Sequence, residues 1–207
     1  LFEKINNNEV DILIGTQMLA KGHHFPKLSL VGIIDTDGGL CSTDFRASER
    51  LAQLFIQVSG RAGRAQIAGE VMIQTHFPEH PLLNSLINGG YRQFAQALLR
   101  EREQANLPPF SYLALLRAES HLASVPREFL QRAKVILNSL NPQMEVYGPI
   151  PAPIERRAGK TRMQLLVVTN GRGSLKQSMQ SWMLALEKLP AGKKVRWSLD
   201  IDPQELM

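Results

Sequence analysis

Apolar residues follow two rhythms along this chain. In the first third, short runs that are apolar at nearly every position stand between glycine-rich turns: Val10 to Ile14, Leu28 to Ile34 and Val71 to Gln74. A strand apolar on both faces is a strand buried on both faces, so these runs predict a parallel α/β sheet. Between the second and third runs, Leu51, Leu54, Phe55 and Val58 fall at i, i+3, i+4 and i+7 and predict a helix with one core-facing stripe. Pro81 opens a further helical region with Leu83, Leu86 and Ile87 on one face, interrupted at Gly89-Gly90 and resumed by Tyr91, Phe94 and Leu98. It predicts a helical connector over 81–106. The connector stops at Leu107-Pro108-Pro109-Phe110, whose prolines cannot continue a helix.

Beyond that boundary the pattern predicts strand Tyr112–Ala118, then helix Arg127–Leu140 with Phe129, Ala133, Ile136, Leu137 and Leu140 inward, then strand Met144–Tyr147. Strand Gln164–Thr169, helix Leu175–Leu189 and strand Val195–Asp200 follow, the helix carrying Leu175, Met179, Trp182, Met183 and Leu186 on one stripe. The order βαββαβ is the split βαβ, or ferredoxin-like, arrangement. The expected fold is therefore α/β: a partial parallel-sheet lobe over 1–80, the connector over 81–106, and a ferredoxin-like α+β domain over 107–207. Such a topology hosts many functions and narrows fold more than role.

Composition adds bounds. With 207 residues and 43% apolar content there is material for one large or two small cores, and no run approaches the roughly 18 apolar residues of a membrane span. A single cysteine, Cys41, excludes an intrachain disulfide or a cysteine-cluster zinc site and fits a reducing cytoplasm. The start, Leu1-Phe2-Glu3-Lys4, has neither an initiator Met nor signal-peptide architecture, and is read as a cut inside a larger protein. Net charge is +5, but residues 1–80 hold seven basic and nine acidic groups, against seventeen and ten in 81–207. The surplus in the second part favours an anionic partner such as nucleic acid, or else serves as a basic surface for solubility.

The chemistry concentrates in Gln57-Val58-Ser59-Gly60-Arg61-Ala62-Gly63-Arg64, where two arginines three apart, each preceded by glycine, can project from one helix face toward a polyphosphate. Only arginine offers a planar, permanently charged fork that meets two phosphate oxygens at once. The alternative is that Arg61 and Arg64 pair with Asp35, Asp37 or Glu49. Upstream, Gly15-Thr16-Gln17-Met18-Leu19-Ala20-Lys21-Gly22 follows the first apolar run with groups suited to gripping phosphate oxygens, or to capping a strand-to-helix turn. Asp35 and Asp37 are assigned no chemistry, their expected work being capping or pairing with Arg46. His23, His24, His76 and His80 lack the companions of a tetrahedral site, so no metal is expected in this chain. Arg156, Arg157, Lys160 and Arg162 predict a basic loop beside Gly159, followed by Arg172 before the last helix; it suits docking of DNA or protein, or is simply solvated. Trp182 reads as core, while Trp197 is undecided.

The segments Gly15 to Pro26, Asp44-Phe45-Arg46-Ala47-Ser48-Glu49-Arg50 and Gln57 to Arg64 stand in the order and spacing of a known family. So do Leu107 to Phe110, Gly148-Pro149-Ile150-Pro151-Ala152-Pro153 and the ending Val195 to Pro203. Together they resemble the C-terminal portion of the PriA family of primosomal replication-restart helicases, essentially over the whole chain. The resemblance implies a superfamily 2, 3′-to-5′ DNA helicase of the bacterial cytoplasm. Such an enzyme binds ATP and Mg²⁺ between two RecA-like lobes, recognises forked and single-stranded DNA at abandoned replication forks, and assembles a primosome. Residues 1–80 would end the second lobe, with Arg61 and Arg64 at the γ-phosphate, Gln57 sensing it, and Gly22, Gly60 and Gly63 at the nucleotide site. Thr16, Gln17 and Lys21 would contact DNA, as would Arg156, Arg157, Lys160 and Arg162. Arg172 would take the acidic tail of single-stranded DNA-binding protein. Zinc would belong to a cysteine-rich insertion outside these residues, and His24 stands where such helicases often carry an acid. No G-x-x-x-x-G-K-[ST] loop occurs here, so the chain alone is expected to lack appreciable ATPase. The alternatives are a non-catalytic nucleic-acid and protein docking module, and a degenerate helicase acting as a scaffold.

Overall fold

The computed structural model of the chain describes residues 2–7, 9–16, 28–42, 44–60 and 70–206. These fall into two compact units, Leu1–Arg100 and Glu101–Met207.

In the first unit, α1 (Phe2–Asn6) precedes β1 (Leu30–Ile33), the short α2 (Asp37–Leu40), α3 (Ala47–Ser59), β2 (Glu70–Ile73) and α4 (Pro81–Gln104), of which residues 101–104 fall in the second unit. β1 and β2 pair in parallel, from Leu30 opposite Glu70 to Ile33 opposite Ile73. α3 lies between two small cores because its apolar residues occupy two sides. Val58 meets Ile33 of the sheet, supported by Val31, Val71 and Ile73, while Ala52 packs among Leu82, Leu86, Phe94 and Leu98 of α4. α4 bends where expected: Gly90 has φ 68° and ψ −175°, which breaks the helical path between the two glycine-flanked halves. Ile87 and Tyr91, expected inward, are exposed, and Leu82 takes the buried place beside Leu83 and Leu86.

The strand expected at Val10–Ile14 is not formed. Ile12 and Ile14 are 79% and 88% exposed, and among the described residues only β1 and β2 form a sheet in this unit. A run apolar on both faces becomes a strand only when neighbouring strands satisfy its backbone groups and cover its sides, and those neighbours are non-local.

The second unit has the order β3 (Tyr112–Ser120), α5 (Ser124–Leu140), β4 (Glu145–Arg157), β5 (Lys160–Thr169), α6 (Arg172–Lys188), a 3₁₀ turn at Pro190–Lys194, and β6 (Arg196–Ile201). All pairings are antiparallel, in the spatial order β4-β5-β3-β6. Alternate residues face opposite sides of a strand, so Ala114, Leu116 and Ala118 of β3 and Met163, Leu165 and Val167 of β5 meet Phe129, Leu137, Met179 and Leu186 of the two helices. Each large side chain so buried contributes roughly 1.5–3 kcal/mol. Trp182 is wholly buried there, and its indole N–H donates to Ala133 O at 2.8 Å, which makes it core as the stripe predicts. Met183 and Leu140, also expected inward, are 41% and 47% exposed. Trp197 packs on the same core, its ring 5.9 Å from that of Phe129.

The opposite sheet face is partly covered by the chain's last residues. Asp202 N–H extends the β3–β6 pairing by donating to Leu113 O at 2.9 Å, and over the face Arg117 donates to Glu205 O at 2.8 Å and Gln164 to Leu206 O at 3.4 Å. Beneath them Leu113 and Leu115 are buried.

Candidate functional site

α3 positions the first group of candidates. Its start is held by Asp44, whose buried carboxylate accepts the Arg46 N–H at 3.0 Å and the Arg50 guanidinium at 2.6 Å, while its carbonyl accepts the Ala47 N–H. Gln57 lies half-buried in the last turn, beside Val58. The described helix closes at Ser59. Gly60 caps it with φ −68° and ψ −6°, so this glycine is not needed for a left-handed stop, though a Cβ would come within 3.3 Å of Ile56 O. Arg61, Gly63 and Arg64 lie outside the described residues, as do Gln17, Lys21 and Gly22. Thr16 is exposed and in no strand or helix.

At the carboxyl ends of β1 and β2, Asp37 does not pair with Arg46. Its carboxylate instead accepts the Thr75 hydroxyl at 2.5 Å and the His76 backbone N–H, and lies 2.5 Å from His76 Nδ1. The Thr75 hydroxyl first, and then His76, hold its carboxyl below the ordinary value. Thr36, 2% exposed, closes the same edge by donating to Gln74 O at 2.9 Å. Asp35 takes a left-handed φ of 56°, which Asp tolerates better than most residues.

The basic loop expected at 156–162 is instead the end of a β-hairpin. β4 runs to Arg157, β5 starts at Lys160, and only Ala158 and Gly159 connect them, both with positive φ. The register sorts the four candidates onto different faces: Arg157 stands opposite Lys160, whereas Arg156 stands opposite Thr161. Lys160 and Arg162 share a face with Glu119 and Arg117 of β3 and Arg196 of β6, the partners given by cross-strand register. These side chains and Arg157 line a cleft of about 420 Å³. Glu119 is its charge centre, with Lys160 Nζ at 3.1 Å, Arg196 at 3.8 Å and Arg162 at 4.0 Å. The Lys160 hydrogen bond, and then the charges of Lys160, Arg196 and Arg162, hold its carboxyl below the ordinary value against the opposing effect of burial. Arg117 is engaged separately, by Asp200 at 3.3 Å and by the Glu205 carbonyl.

Sequence reasoning missed Arg117, Glu119 and Arg196. The available signal was the pair Arg117 and Glu119, two charges at i and i+2 in an otherwise apolar strand, which marks one face as polar. Arg172 is the exposed first residue of α6, whose N-cap is Gly171 without a side-chain cap. Among the described residues no three His, Cys, Asp or Glu side chains converge as metal ligands would, and no helix is long and apolar enough to cross a membrane.

Comparisons with known proteins fall on both units. Residues 1–66 match the family model of the helicase conserved C-terminal domain, and residues 103–204 match that of the primosomal protein N C-terminal domain. Replication restart protein PriA of Haemophilus influenzae is 44% identical over 205 residues, covering 99% of this chain and 28% of that protein. The same-named protein of Rickettsia typhi is 36% identical, and that of Treponema pallidum 35% identical, each over 99% of this chain and 31% of its own length. The chain thus spans about 30% of the length of the curated relatives it matches. With both family models in order and similarity running nearly end to end, the chain belongs to the PriA family of replication restart proteins.

Proposed function

We propose that this chain serves replication restart as part of an ATP-dependent, 3′-to-5′ DNA helicase of the bacterial cytoplasm that acts on forked and single-stranded DNA and assembles a primosome. The observation that carries the proposal is the collinear similarity over 99% of the chain to proteins named for replication restart. In this reading residues 1–80 end the second RecA-like lobe, 81–106 connect, and 107–207 form a ferredoxin-like DNA- and partner-binding domain. The βαββαβ order and antiparallel pairing of the second unit support the ferredoxin-like fold, though not by themselves its binding role.

Within the motor, Arg61 and Arg64 stabilise charge developing at the γ-phosphate, with Gln57 sensing it and Gly22, Gly60 and Gly63 at the nucleotide; a positioned arginine contributes about 10³–10⁵ in rate. ATP and Mg²⁺ supply the driving chemistry when bound, and the phosphate-binding loop comes from outside this chain. Thr16, Gln17 and Lys21 contact the DNA strand. Arg172 takes the carboxylates of the tail of single-stranded DNA-binding protein. The test is hydrolysis by the purified chain: no appreciable turnover is expected with or without forked DNA, and robust turnover by the chain alone overturns the reading.

A second reading, the non-catalytic docking module, is favoured by the cationic cleft. On that reading Arg157, Lys160 and Arg162 follow a phosphate backbone. Neutralising all three then weakens single-stranded DNA binding and flattens its log–log salt dependence by about 2, roughly 0.7 for each phosphate that is no longer neutralised. Binding that survives Arg61→Ala with Arg64→Ala but fails in this triple variant assigns DNA affinity to the second unit; binding that survives the triple variant removes it from the cleft.

A further inference from the structure

The cleft beside the hairpin carries more positive charge than its own carboxylate balances. Arg157, Lys160, Arg162 and Arg196 line it, and Glu119 is the one acid among the described lining residues. Four cations against one anion leave +3, while Arg117 has its own partner in Asp200. The three nearest cations do not approach Glu119 by accident of long side chains. Arg162 and Arg196 are its direct cross-strand partners on β5 and β6, and Lys160 stands two residues from Arg162 on the same strand face. The side chains of Glu119, Lys160 and Arg162 are each about a quarter exposed, whereas that of Arg196 is 81% exposed, so that wall of the cleft is open to solvent.

We propose that Glu119 is a resident counter-ion: it stands where a backbone phosphate of bound nucleic acid sits, and it sets the cleft's affinity by competing for Lys160, Arg162 and Arg196. The inference rests on the reading that this cleft binds nucleic acid. Partly exposed ion pairs are weak and readily exchanged, so an incoming phosphodiester takes over cations that Glu119 has already gathered. A repeating polyanion suits the layout better than a single terminal carboxylate. Lys160 and Arg162 recur about 7 Å apart along β5, and Arg162 and Arg196 lie on strands roughly 10 Å apart across β3, so the charge is spread over a surface and not focused on one point. Arg196 thereby joins the binding set, and Arg156, on the other face of the hairpin, leaves it.

The test is binding of a labelled single-stranded DNA to the full chain, measured by fluorescence anisotropy over a series of salt concentrations. Glu119→Gln is expected to bind about threefold to fourfold tighter at low salt, the effect of removing one unit charge at roughly 5–7 Å in a water-like dielectric. Its log–log salt slope steepens by about 0.7, the value for one further phosphate neutralised on a single strand. Glu119→Asp, which keeps the charge, stays near wild type. Glu128→Gln makes the same charge change on the exposed face of α5, where Glu128 pairs with Arg132, and stays near wild type as well. Unchanged or weaker binding by Glu119→Gln overturns the proposal, as does an equal gain from Glu128→Gln or a gain seen with an acidic peptide and not with DNA. The Arg157→Ala, Lys160→Ala, Arg162→Ala variant separates the two layers. If it weakens DNA binding while Glu119→Gln does not tighten it, only the counter-ion role falls; if it leaves DNA affinity intact, the cleft reading falls too.

Discussion

Replacing Ala158 by asparagine stabilises the second unit, although the residue is exposed and touches no core. Ala158 and Gly159 connect a paired Arg157 and Lys160, with φ of 50° and 74°. Two successive left-handed residues are the signature of a type I′ turn, the form that matches the twist of the flanking strands and prefers Asn-Gly. For alanine the left-handed region costs about 1–2 kcal/mol, because Cβ crowds the following carbonyl, whereas asparagine visits it readily. Ala158→Asn should therefore add about 1 kcal/mol, which in a unit of roughly 100 residues raises the thermal midpoint by about 4–8 °C. Gly159→Ala should do the reverse. The nearest atoms to its added Cβ are those of the His121 ring at 3.7 and 3.9 Å, so space is available and the loss of about 1 kcal/mol is purely one of backbone conformation. Thermal unfolding followed by circular dichroism reads both. An unchanged or lowered midpoint for Ala158→Asn refutes the left-handed turn and, with it, the assignment of Arg157, Lys160 and Arg162 to one face.

Gly148→Ala should be more costly than a surface alanine, about 2 kcal/mol or more by denaturant unfolding, since Gly148 has φ 103° and an added Cβ would meet Gln164 O at 2.9 Å and Ile150 N at 3.0 Å. Asp44→Ala removes the acceptor of two bonds at the start of α3, its side chain 1% exposed, and should cost the first unit about 2 kcal/mol, with Asp44→Asn recovering part of it. Glu119 contributes acid-sensitive stability. Its folded carboxyl titrates below the ordinary 4.5, so its contribution is complete above that value and is lost as pH falls through the lower, folded one. Wild type should therefore exceed Glu119→Gln in stability near neutral pH, with the gap closing as the pH is taken well below 4.5. A gap that persists in acid contradicts the ion-pair assignment.

Where periodicity reports a half-buried surface, the chain is readable from its sequence. α3 and α6 bury Val58, Leu175, Met179 and Trp182, and the glycine pair breaks α4 where the pattern is interrupted. The misses share a cause in non-local pairing. Val10–Ile14 has strand composition but no described strand beside it, and Met144–Tyr147 undershoots β4, which runs on through prolines at 149, 151 and 153 that an edge strand tolerates. α5 starts at Ser124 because Pro126 fits a helix's first turn, where its missing N–H is no loss. At the site, sequence identified three of the cleft's cations but could not bring Arg117, Glu119 and Arg196 to them, because β3, β5 and β6 meet only through the register of strands some 35–80 residues apart.

The most direct test of the motor assignment is DNA-stimulated ATP hydrolysis by the complete parent protein on a forked substrate, comparing wild type with Arg64→Ala and checking that DNA binding is retained. A loss of about two or more orders of magnitude with binding intact is the predicted result. Unchanged hydrolysis would contradict it, making Gln57 to Arg64 a structural segment and leaving the cationic cleft of the second unit as the working part of this chain.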